Sequence, residues 1–429
     1  MAKQTNKNLR NMVMYQIFVR NFSKNGTFKE VIKELPRIRD LGVDIIWFVP
    51  IHPIGEKARK GSLGSPYAIS DNRAVNPEYG TMDDFKEGVK AIHDHGMKCL
   101  IDVVYNHTSP DSVLAKEHPE WFYHKSDGSF GNKVGDWSDI IDLDYSQREL
   151  WDYQIDTLKM WAKIVDGFRC DVAPLVSIEF WKKARNAVEE VRPGCIWLSE
   201  SVESSFIMDI RDRGFTAHSD SEIFEAFDIS YDYDVYPEFT AYVSGKGSLE
   251  AYSDAVNRQE YIYPDNYVKL RFLENHDQPR ARFLFPDIRA LRNTTAFLYF
   301  QKGLTLIYAG QEMAVSHLPS LFDKDTVEFK AKGNYDLSDL MKRLYEIKKD
   351  PLFTDSTYRT KTYEDDVLKA IHSRNGRKII GIFSLKGFER LVPINLPDGS
   401  YVNKIDNEKI DVLHGYISIK GEPIIIEAG

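Results

Sequence analysis

The sequence predicts an α/β protein: a (β/α)8 TIM barrel with a short inserted domain after strand 3 and a C-terminal antiparallel β-sandwich. Three observations support this. Apolar runs alternate eight times with helical patterns between residues 11 and 349, which is the signature of the barrel. Several of the runs end in carboxylates or histidines, as barrel strands do where they build an active site. After Pro351 only short alternating strand patterns follow.

The predicted barrel strands are short and almost continuously apolar, as is typical of parallel strands buried on both faces. They cover residues 13–20, 44–51, 97–104, 164–173, 195–200, 228–236, 267–273 and 304–308. Helical patterns cover 28–41, a segment from Thr81 onward, 146–163, 178–191, 206–212, a stretch ending at 256, 288–300 and 337–349. A long loop over 61–79 follows the second strand, and loops of this length in compact domains usually have a function.

Two segments fall outside the barrel pattern. Residues 108–143 contain turn signals instead of a helix and are predicted to form the small inserted domain, which leaves 11–107 and 144–349 as the two parts of the barrel. Residues 350–429 form the predicted sandwich, because they carry alternating patterns without a helix. Its predicted strands cover 367–372, 378–385, 391–396, 410–419 and 424–427.

Composition excludes several classes of protein. The chain has 429 residues and a net charge of −9 without a basic stripe, which argues against a nucleic-acid partner. No apolar window reaches the length of a membrane helix, and residues 1–8 lack the apolar core of a signal peptide. Cys99, Cys170 and Cys195 lie in predicted strands, and three buried thiols indicate a reducing compartment. We therefore expect a cytoplasmic protein with no membrane partner.

The fourth strand carries the most informative residues. Side chains alternate along a strand, so Gly167, Arg169 and Asp171 should share one face. Buried charges are costly unless they are paired or used, and a structural ion pair is the simpler interpretation of an isolated Arg-x-Asp. Three other strand ends also carry polar groups, at 102–107, 199–200 and 275–277. Their common position favours an active site at the end of a barrel.

Three carboxylates lie at or just after apolar strands four, five and seven: Asp171, Glu200 and Asp277. Two carboxylates facing each other across a barrel mouth suit glycoside hydrolysis, one as nucleophile and one as acid/base. Arg169 would lower the pKa of a neighbouring nucleophile, whereas an acid needs burial or a carboxylate neighbour to stay protonated. The alternative is that each acid forms a salt bridge at the end of the barrel.

Two histidines also lie at strand ends. His107 and His276 could donate hydrogen bonds to sugar hydroxyls, or each could be a core imidazole. A third possibility is a metal site with Asp102, Asp171 or Asp277. The sequence has no H-x-H or H-E-x-x-H spacing to support that possibility.

Four short segments resemble the α-amylase family (glycoside hydrolase family 13), in order and in placement: DVVYNH at 102–107, GFRCD at 167–171, LSE at 198–200 and FLENHD at 272–277. SPYAI at 65–69, VNPEYG at 75–80 and IYAGQE at 307–312 resemble the family as well. Together these matches cover roughly residues 11 to 345, and the tail resembles the C-terminal domain of the family.

The resemblance implies roles for individual residues. Asp171 would be the nucleophile and Glu200 the acid/base, while Asp277 would bind the sugar hydroxyls and favour a distorted ring. The substrate-binding residues of the family match Arg169, His107, His276 and the stacking aromatic Tyr67, and a structural acid beside the site matches Asp102.

The chain also departs from the family pattern. Endo-acting members often have Lys and His three and four places after the nucleophile, where this chain has Pro174 and Leu175. Asn106 matches a calcium-ligand position, but the segment after it is short, so we expect no required cofactor and regard calcium only as possible. The chain begins almost directly at strand one, without the N-terminal dimerisation domain of some members, so we expect a monomer.

The combined prediction is a retaining hydrolase that cleaves α-1,4-glucosidic bonds of maltooligosaccharides and other α-glucans. A 4-α-glucanotransferase would use the same covalent intermediate and differ only in the second acceptor. An inactive sugar-binding relative is the alternative from another class. Such relatives usually lack one of the three acids, and all three are present here.

Overall fold

The computed structural model describes residues 4–135, 137–331, 333 and 335–428. Seven residues lie outside the described ones: 1–3 at the start of the chain, Asp136 in the predicted insert, Lys332 and Asn334 in the predicted barrel, and Gly429 in the predicted sandwich. What the sequence predicts for these positions stays a prediction. Among those described, eight parallel strands close into a barrel in chain order, so the predicted fold class is confirmed. They are β1 (Val13–Ile17), β2 (Ile45–Phe48), β3 (Lys98–Val103), β4 (Gly167–Cys170), β5 (Ile196–Ser199), β6 (Ile229–Tyr231), β7 (Val268–Arg271) and β8 (Leu304–Tyr308).

Helices surround the barrel and lie in the segments that connect its strands. The α-helices are α1 (Val19–Phe22), α2 (Phe28–Asp40), α3 (Met82–Asp94), α4 (Val113–Glu117), α5 (Arg148–Ala162), α6 (Ile178–Glu189), α7 (Ser204–Asp212), α8 (Asp220–Ile223), α9 (Tyr236–Val243), α10 (Leu249–Ile262), α11 (Ala281–Leu284), α12 (Ile288–Phe300) and α13 (Ser338–Lys348). Short 3₁₀ turns cover Lys7–Asn11, Pro119–Trp121, Ala173–Leu175, Gln311–Met313 and Pro351–Phe353.

Several strands are shorter than the apolar patterns predicted. β1 ends at Ile17 because α1 begins at Val19, and β6 ends at Tyr231, where the chain turns towards α9. β4 ends at Cys170, so Asp171 lies just beyond the strand and Pro174 is not its terminator. The turn comes at Val172, which has a φ of 35°. Apolar residues continue into these buried loops, so hydrophobicity alone does not mark where a strand ends.

Gly167 sets the spacing between β4 and β5. A Cβ atom at this position would lie 2.4 Å from the Ile196 carbonyl oxygen. A backbone atom of a neighbouring strand cannot move aside, so only glycine allows this approach. The close contact fixes the register in which Arg169 pairs with Leu198 across the two strands.

The segment after β3 forms a small substructure of its own. His107–Thr108 pairs with Ile141–Asp142 as a two-stranded antiparallel sheet. Helix α4 and the following 3₁₀ turn pack on it around a small hydrophobic cluster made of Leu114, Ala115, Trp121, Phe122, Ile141, Leu143 and Leu150. This substructure places the insert beside the end of β3.

The C-terminal part contains two four-stranded antiparallel sheets. Its strands are β9 (Thr357–Tyr363), β10 (Val367–Arg374), β11 (Arg377–Ser384), β12 (Glu389–Pro393), β13 (Gly399–Val402), β14 (Lys409–Leu413), β15 (Tyr416–Lys420) and β16 (Ile424–Ala428). One sheet has the order β9-β10-β11-β16 and the other β12-β15-β14-β13. Apolar residues from both sheets form one cluster between them, as in a sandwich.

The strands of this part differ from the sequence-based expectation at three points. β9 and β13 were missed because their sequences, TYRTKTY and GSYV, are largely polar. The predicted strand over 410–419 is two strands joined at His414 and Gly415, whose φ values are 52° and 76°. Two consecutive positive φ angles form the turn that favours a tight hairpin. The exact domain boundaries stay a prediction.

Candidate active site

Arg169 occupies the centre of the site, at the end of β4. Its side chain is fully buried, and Nη1 donates hydrogen bonds to Asp102 Oδ1 at 2.9 Å and to Asp171 Oδ1 at 2.8 Å. Nη2 lies 2.6 Å from Glu200 Oε1, although the approach is outside hydrogen-bond geometry. One guanidinium therefore holds three carboxyl groups together. The simpler interpretation of Arg-x-Asp as an ion pair is correct, but the pair is part of a larger cluster.

Backbone hydrogen bonds between neighbouring barrel strands position the two central acids, Asp171 and Glu200. Asp171 follows β4, and its backbone N–H donates to the Val103 carbonyl at 2.9 Å. Glu200 follows β5, and its N–H donates to the Cys170 carbonyl at 3.0 Å. These bonds continue the parallel ladder by one residue at each strand end. The side chains consequently meet at one end of the barrel, where such folds carry active sites.

Glu200 is also held by the turn that follows Asp171. Its Oε2 atom accepts a hydrogen bond from the Val172 backbone N–H at 2.8 Å. Glu200 is 8 % exposed and Asp171 is 6 % exposed. Both carboxyl groups are therefore largely removed from water.

Burial controls the protonation of these acids. It raises the pKa of Glu200 to about 8 and that of Asp171 to about 7, and the Arg169 charge opposes both shifts. Burial likewise raises the pKa of Asp102 to about 7. Arg169 does lower the pKa of Asp171 as the sequence predicted, but burial outweighs it because the guanidinium is shared among three acids. Burial thus favours the protonated form of both central acids, whereas the Arg169 charge favours their ionised form.

Tyr67 and His276 form one side of the site. Their rings are stacked, with centroids 5.3 Å apart and planes inclined by 16°. Tyr67 Oη donates to Asp102 Oδ2 at 3.0 Å and lies 2.5 Å from His276 Nε2. Gln16 Nε2 lies 2.7 Å from His276 Nδ1. Nδ1 accepting from Gln16 leaves the proton on Nε2, the nitrogen that faces the site.

Asp277 is the most accessible of the predicted acids. Its side chain is 39 % exposed, and Oδ2 lies 3.0 Å from His276 Nε2. The backbone N–H donates to Asn275 Oδ1 at 2.8 Å, which fixes the turn after β7. A partly exposed carboxylate at the mouth of the site can accept hydrogen bonds from sugar hydroxyls.

His107 lies beside Asp171. Nε2 is 4.0 Å from Asp171 Oδ2, and its ring centroid is 5.6 Å from that of Trp137. Burial lowers the pKa of His107 to about 4, and it does the same for His276. Both imidazoles are neutral near pH 7, which suits them for donating hydrogen bonds to a neutral sugar.

A cavity of about 280 Å³ contains these groups. It brings together Tyr67, His107, Asp171, Glu200, His276 and Asp277, while Arg169 and Asp102 lie beneath it. Sequence reasoning missed other residues of its lining: Lys60, Ser65, Trp137, Asp139, Ile140, Val172, Leu321 and Phe322. Two of them carried a signal in the sequence: Ser65 begins the SPYAI segment, and Trp137 is an aromatic residue in the turn-rich insert. A larger groove of about 790 Å³ between α13 and the C-terminal part contains none of the site residues.

The surroundings of Asn106 do not suit calcium, a metal that binds six to eight oxygen atoms. The Asn106 amide nitrogen faces Asp142 Oδ1 at 3.4 Å and His107 Nδ1 at 3.2 Å. Asp142 Oδ2 accepts the Lys133 backbone N–H at 2.7 Å, and Lys133 Nζ donates to the Leu143 carbonyl at 3.2 Å. Asp142 Oδ2 and the Leu143 carbonyl oxygen therefore already accept hydrogen bonds from Lys133. The described part of the chain contains no group of three His, Cys, Asp or Glu residues placed for a metal.

Neither a membrane span nor a disulfide involves the described residues. No helix there is both long enough and apolar enough to cross a bilayer. Cys99, Cys170 and Cys195 are buried free thiols, as the sequence predicted.

Comparison with known proteins gives two family matches. The family "Alpha amylase, catalytic domain" matches residues 5–358, and "Bacterial Alpha amylase C-terminal domain" matches 359–426. An α-amylase from Lactobacillus plantarum is 47 % identical with a TM-score of 0.96, covering 99 % of this chain and 100 % of its own. A noncanonic maltogenic α-amylase, AmyB, from Thermotoga neapolitana is 33 % identical with a TM-score of 0.86, covering 98 % and 99 %.

Curated relatives are longer proteins. An alpha-1,4-glucan:maltose-1-phosphate maltosyltransferase from Myxococcus xanthus is 31 % identical over 57 % of this chain and 38 % of its own length. Alpha-amylase MalA from Haloarcula japonica is 29 % identical over 70 % of this chain and 44 % of its own. The chain thus spans less than half the length of these two relatives.

Proposed function

Because the chain belongs to the α-amylase family, we propose that it is a retaining glycoside hydrolase that cleaves α-1,4-glucosidic bonds of maltooligosaccharides and starch-type glucans. The observation that carries this proposal is the shared guanidinium. Arg169 contacts both Asp171 and Glu200, so the two carboxyls lie close together at the mouth of the barrel. A short separation, roughly 5–5.5 Å, is typical of retaining enzymes, whereas inverting enzymes need roughly 6.5–9.5 Å.

The first chemical step uses both acids. An Asp171 carboxylate oxygen attacks the anomeric carbon, and the bond from that carbon to the glycosidic oxygen breaks. Glu200 gives its proton to the departing oxygen, which needs the protonated form that its raised pKa favours. The products are a glycosyl ester on Asp171 and a shortened glucan with a free hydroxyl. Ionisation of Asp171 is aided by the hydrogen bond from Arg169.

The second step reverses the roles. Glu200, now a carboxylate, removes a proton from water while the water oxygen attacks the anomeric carbon and Asp171 leaves. Each acid returns to its starting protonation state. Tyr67 and His276 offer a stacked surface to the sugar ring, and Asp277 and His107 lie where hydroxyls would need partners. These positions support the binding roles that the family resemblance implies.

A transglycosylase is the second candidate. The curated relatives include maltosyltransferases, and transfer differs only in that a sugar hydroxyl replaces water in the second step. A time course of products on maltoheptaose, amylose and pullulan tests the proposal. Shorter maltooligosaccharides and new reducing ends indicate hydrolysis, products longer than the substrate indicate transfer, and no product from any glucan would identify an inactive relative.

The remaining expectations belong to the same proposal. We infer that calcium is dispensable, supported by the lysine that bonds near Asn106. Three free thiols support a reducing, cytoplasmic location. A monomer with an α-glucan as its only partner is expected and is tested by light scattering of the purified chain.

A further inference from the structure

Three loops that contact one another border the cavity on the side of Tyr67, called here its closed side. The loop after β2 connects two other loops across this side. Lys60 Nζ forms an ion pair with Asp139 of the insert at 2.9 Å. Ser62 Oγ donates to Asp323 Oδ1, in the loop after β8, at 2.7 Å. These contacts join the three loops, and the cavity of about 280 Å³ lies just below the roughly 300–1,000 Å³ of sites for drug-sized ligands. Only a short part of a glucan chain fits inside.

The chemistry fixes which part that is. The sugar attacked by Asp171 must lie against Tyr67 and His276, the closed side. The sugar that departs must extend past Glu200, since Glu200 protonates the oxygen between them. A longer chain therefore has to leave the site on its leaving-group side, towards the loops after β5, β6 and β7.

A second groove, of about 690 Å³, lies at those loops. It runs between α9 and α11, and two of its lining residues follow the acids closely in sequence. Glu203 is three residues after Glu200, and Gln278 comes directly after Asp277. Gln278 Oε1 accepts a hydrogen bond from Tyr236 Oη at 3.1 Å, which connects α9 to the loop after β7. The groove thus begins one residue beyond Asp277 and three residues beyond Glu200 in the chain.

The lining of this groove combines the two surfaces that bind sugars. Phe283 of α11 is 69 % exposed, although an apolar ring of this size usually packs in the core. Tyr236 is buried beside the groove, while Glu203, Lys246 and Gln278 present polar groups. Aromatic rings can stack on the apolar faces of glucose units, and polar side chains can bond their hydroxyls.

We propose that this groove, named here the α9–α11 groove, binds the leaving-group end of the glucan with Phe283 as a stacking platform. The enzyme then releases short fragments from the non-reducing end of longer chains. This inference rests on the proposed hydrolase function, and the proposed occupant of the groove is the glucan substrate.

The first test follows the position of cleavage. Maltoheptaose carrying ¹³C at its reducing-end anomeric carbon is digested briefly, and the products are separated by mass. We expect the label in the longer product and unlabelled short products. Label mainly in the shortest products would place the long part on the closed side and overturn the inference. Absence of any hydrolysis would instead contradict the proposed function.

The second test measures the contribution of Phe283. Phe283→Ala should lower kcat/KM for maltoheptaose about two- to tenfold, the effect of losing one aromatic contact. Maltotriose, too short to reach the groove, should be hydrolysed as by the wild type. Tyr261→Ala is the matched control, because Tyr261 is 71 % exposed on α10 outside the groove. An equal loss on both substrates, or no loss on maltoheptaose, would refute the groove as a binding site.

Discussion

Val172 donates its backbone N–H to Glu200 Oε2 at 2.8 Å while its own φ is 35°. A β-branched residue rarely adopts a positive φ, and such strained residues cluster at active sites. The turn at Val172 directs its N–H towards the acid on the next strand. The residue after the proposed nucleophile thus orients the proposed acid/base, which couples the positions of the two groups.

A glycosyl fluoride separates the roles of the two acids. Fluoride leaves without needing a proton, so Glu200→Gln should still form the glycosyl ester on Asp171. The ester should accumulate, because the variant also lacks the base for hydrolysis. Asp171→Asn should form none. With maltooligosaccharides, loss of general acid catalysis should slow Glu200→Gln roughly 10²–10⁴-fold. Mass spectrometry of the quenched enzyme locates the adduct, and labelling of another residue would contradict the assignment.

The dependence of kcat/KM on pH should be bell-shaped. Activity needs Glu200 protonated, and burial raises its pKa to about 8, so the rate should fall above about pH 8. It should also fall at low pH as Asp171 becomes protonated, with apparent pKa values that belong to the pair. Initial rates on a short maltooligosaccharide measure the profile. In Glu200→Gln, the rate of ester formation from the glycosyl fluoride is measured across the same pH range. If this rate still falls above about pH 8, the decline belongs to a group other than Glu200.

Stability should respond to the same carboxyl. A folded pKa of about 8 lies above the ordinary value, so the folded state holds a proton that the unfolded state has lost. The contribution of Glu200 to stability is present below its ordinary pKa and declines as pH rises to about 8, by at most about 1.4 kcal/mol per pH unit. Glu200→Gln should therefore gain in Tm relative to the wild type from pH 5 to pH 8. Calorimetry with Glu408→Gln, at an exposed carboxylate, provides the control, and a constant difference would contradict the prediction.

Two substitutions of Tyr67 should distinguish the contribution of its ring to activity from that of its hydroxyl. Tyr67→Phe keeps the stacked ring but removes the hydrogen bond to Asp102, so we expect kcat/KM to fall about tenfold, as for a lost bond to a buried charged group. Tyr67→Ala also removes the surface facing the sugar and should cost more. Kinetics on maltotriose test both variants. Equal losses would show that stacking contributes little.

Metal removal should have little effect. EDTA should leave activity and Tm nearly unchanged, because Lys133 Nζ already bonds the Leu143 carbonyl in this region. Lys133→Met should destabilise the protein by about 1–3 kcal/mol, since a partly buried carbonyl loses its donor. Lys125→Met, at an exposed lysine of the same insert, is the matched control. If EDTA lowers Tm and calcium restores it, the region binds calcium and the inference is wrong.

The sequence alone determined the fold class and the composition of the site. Eight apolar runs alternating with helices admit few arrangements other than the barrel. Polar residues at the ends of parallel strands meet at one end of it, which is why Asp171 and Glu200 could be predicted to lie together. Short-range patterns carry this information.

Only the tertiary structure decided the protonation of the acids, the contacts between the loops around the cavity and the position of the α9–α11 groove. The pKa of Asp171 depends on how far burial outweighs a guanidinium shared with Asp102 and Glu200, and no sequence pattern reports burial. The Lys60–Asp139 ion pair joins loops that lie 79 residues apart in the chain, and Phe283 lines a groove with α9 residues at least 40 positions earlier. These features arise from packing between distant segments, so their physical cause lies in the folded chain.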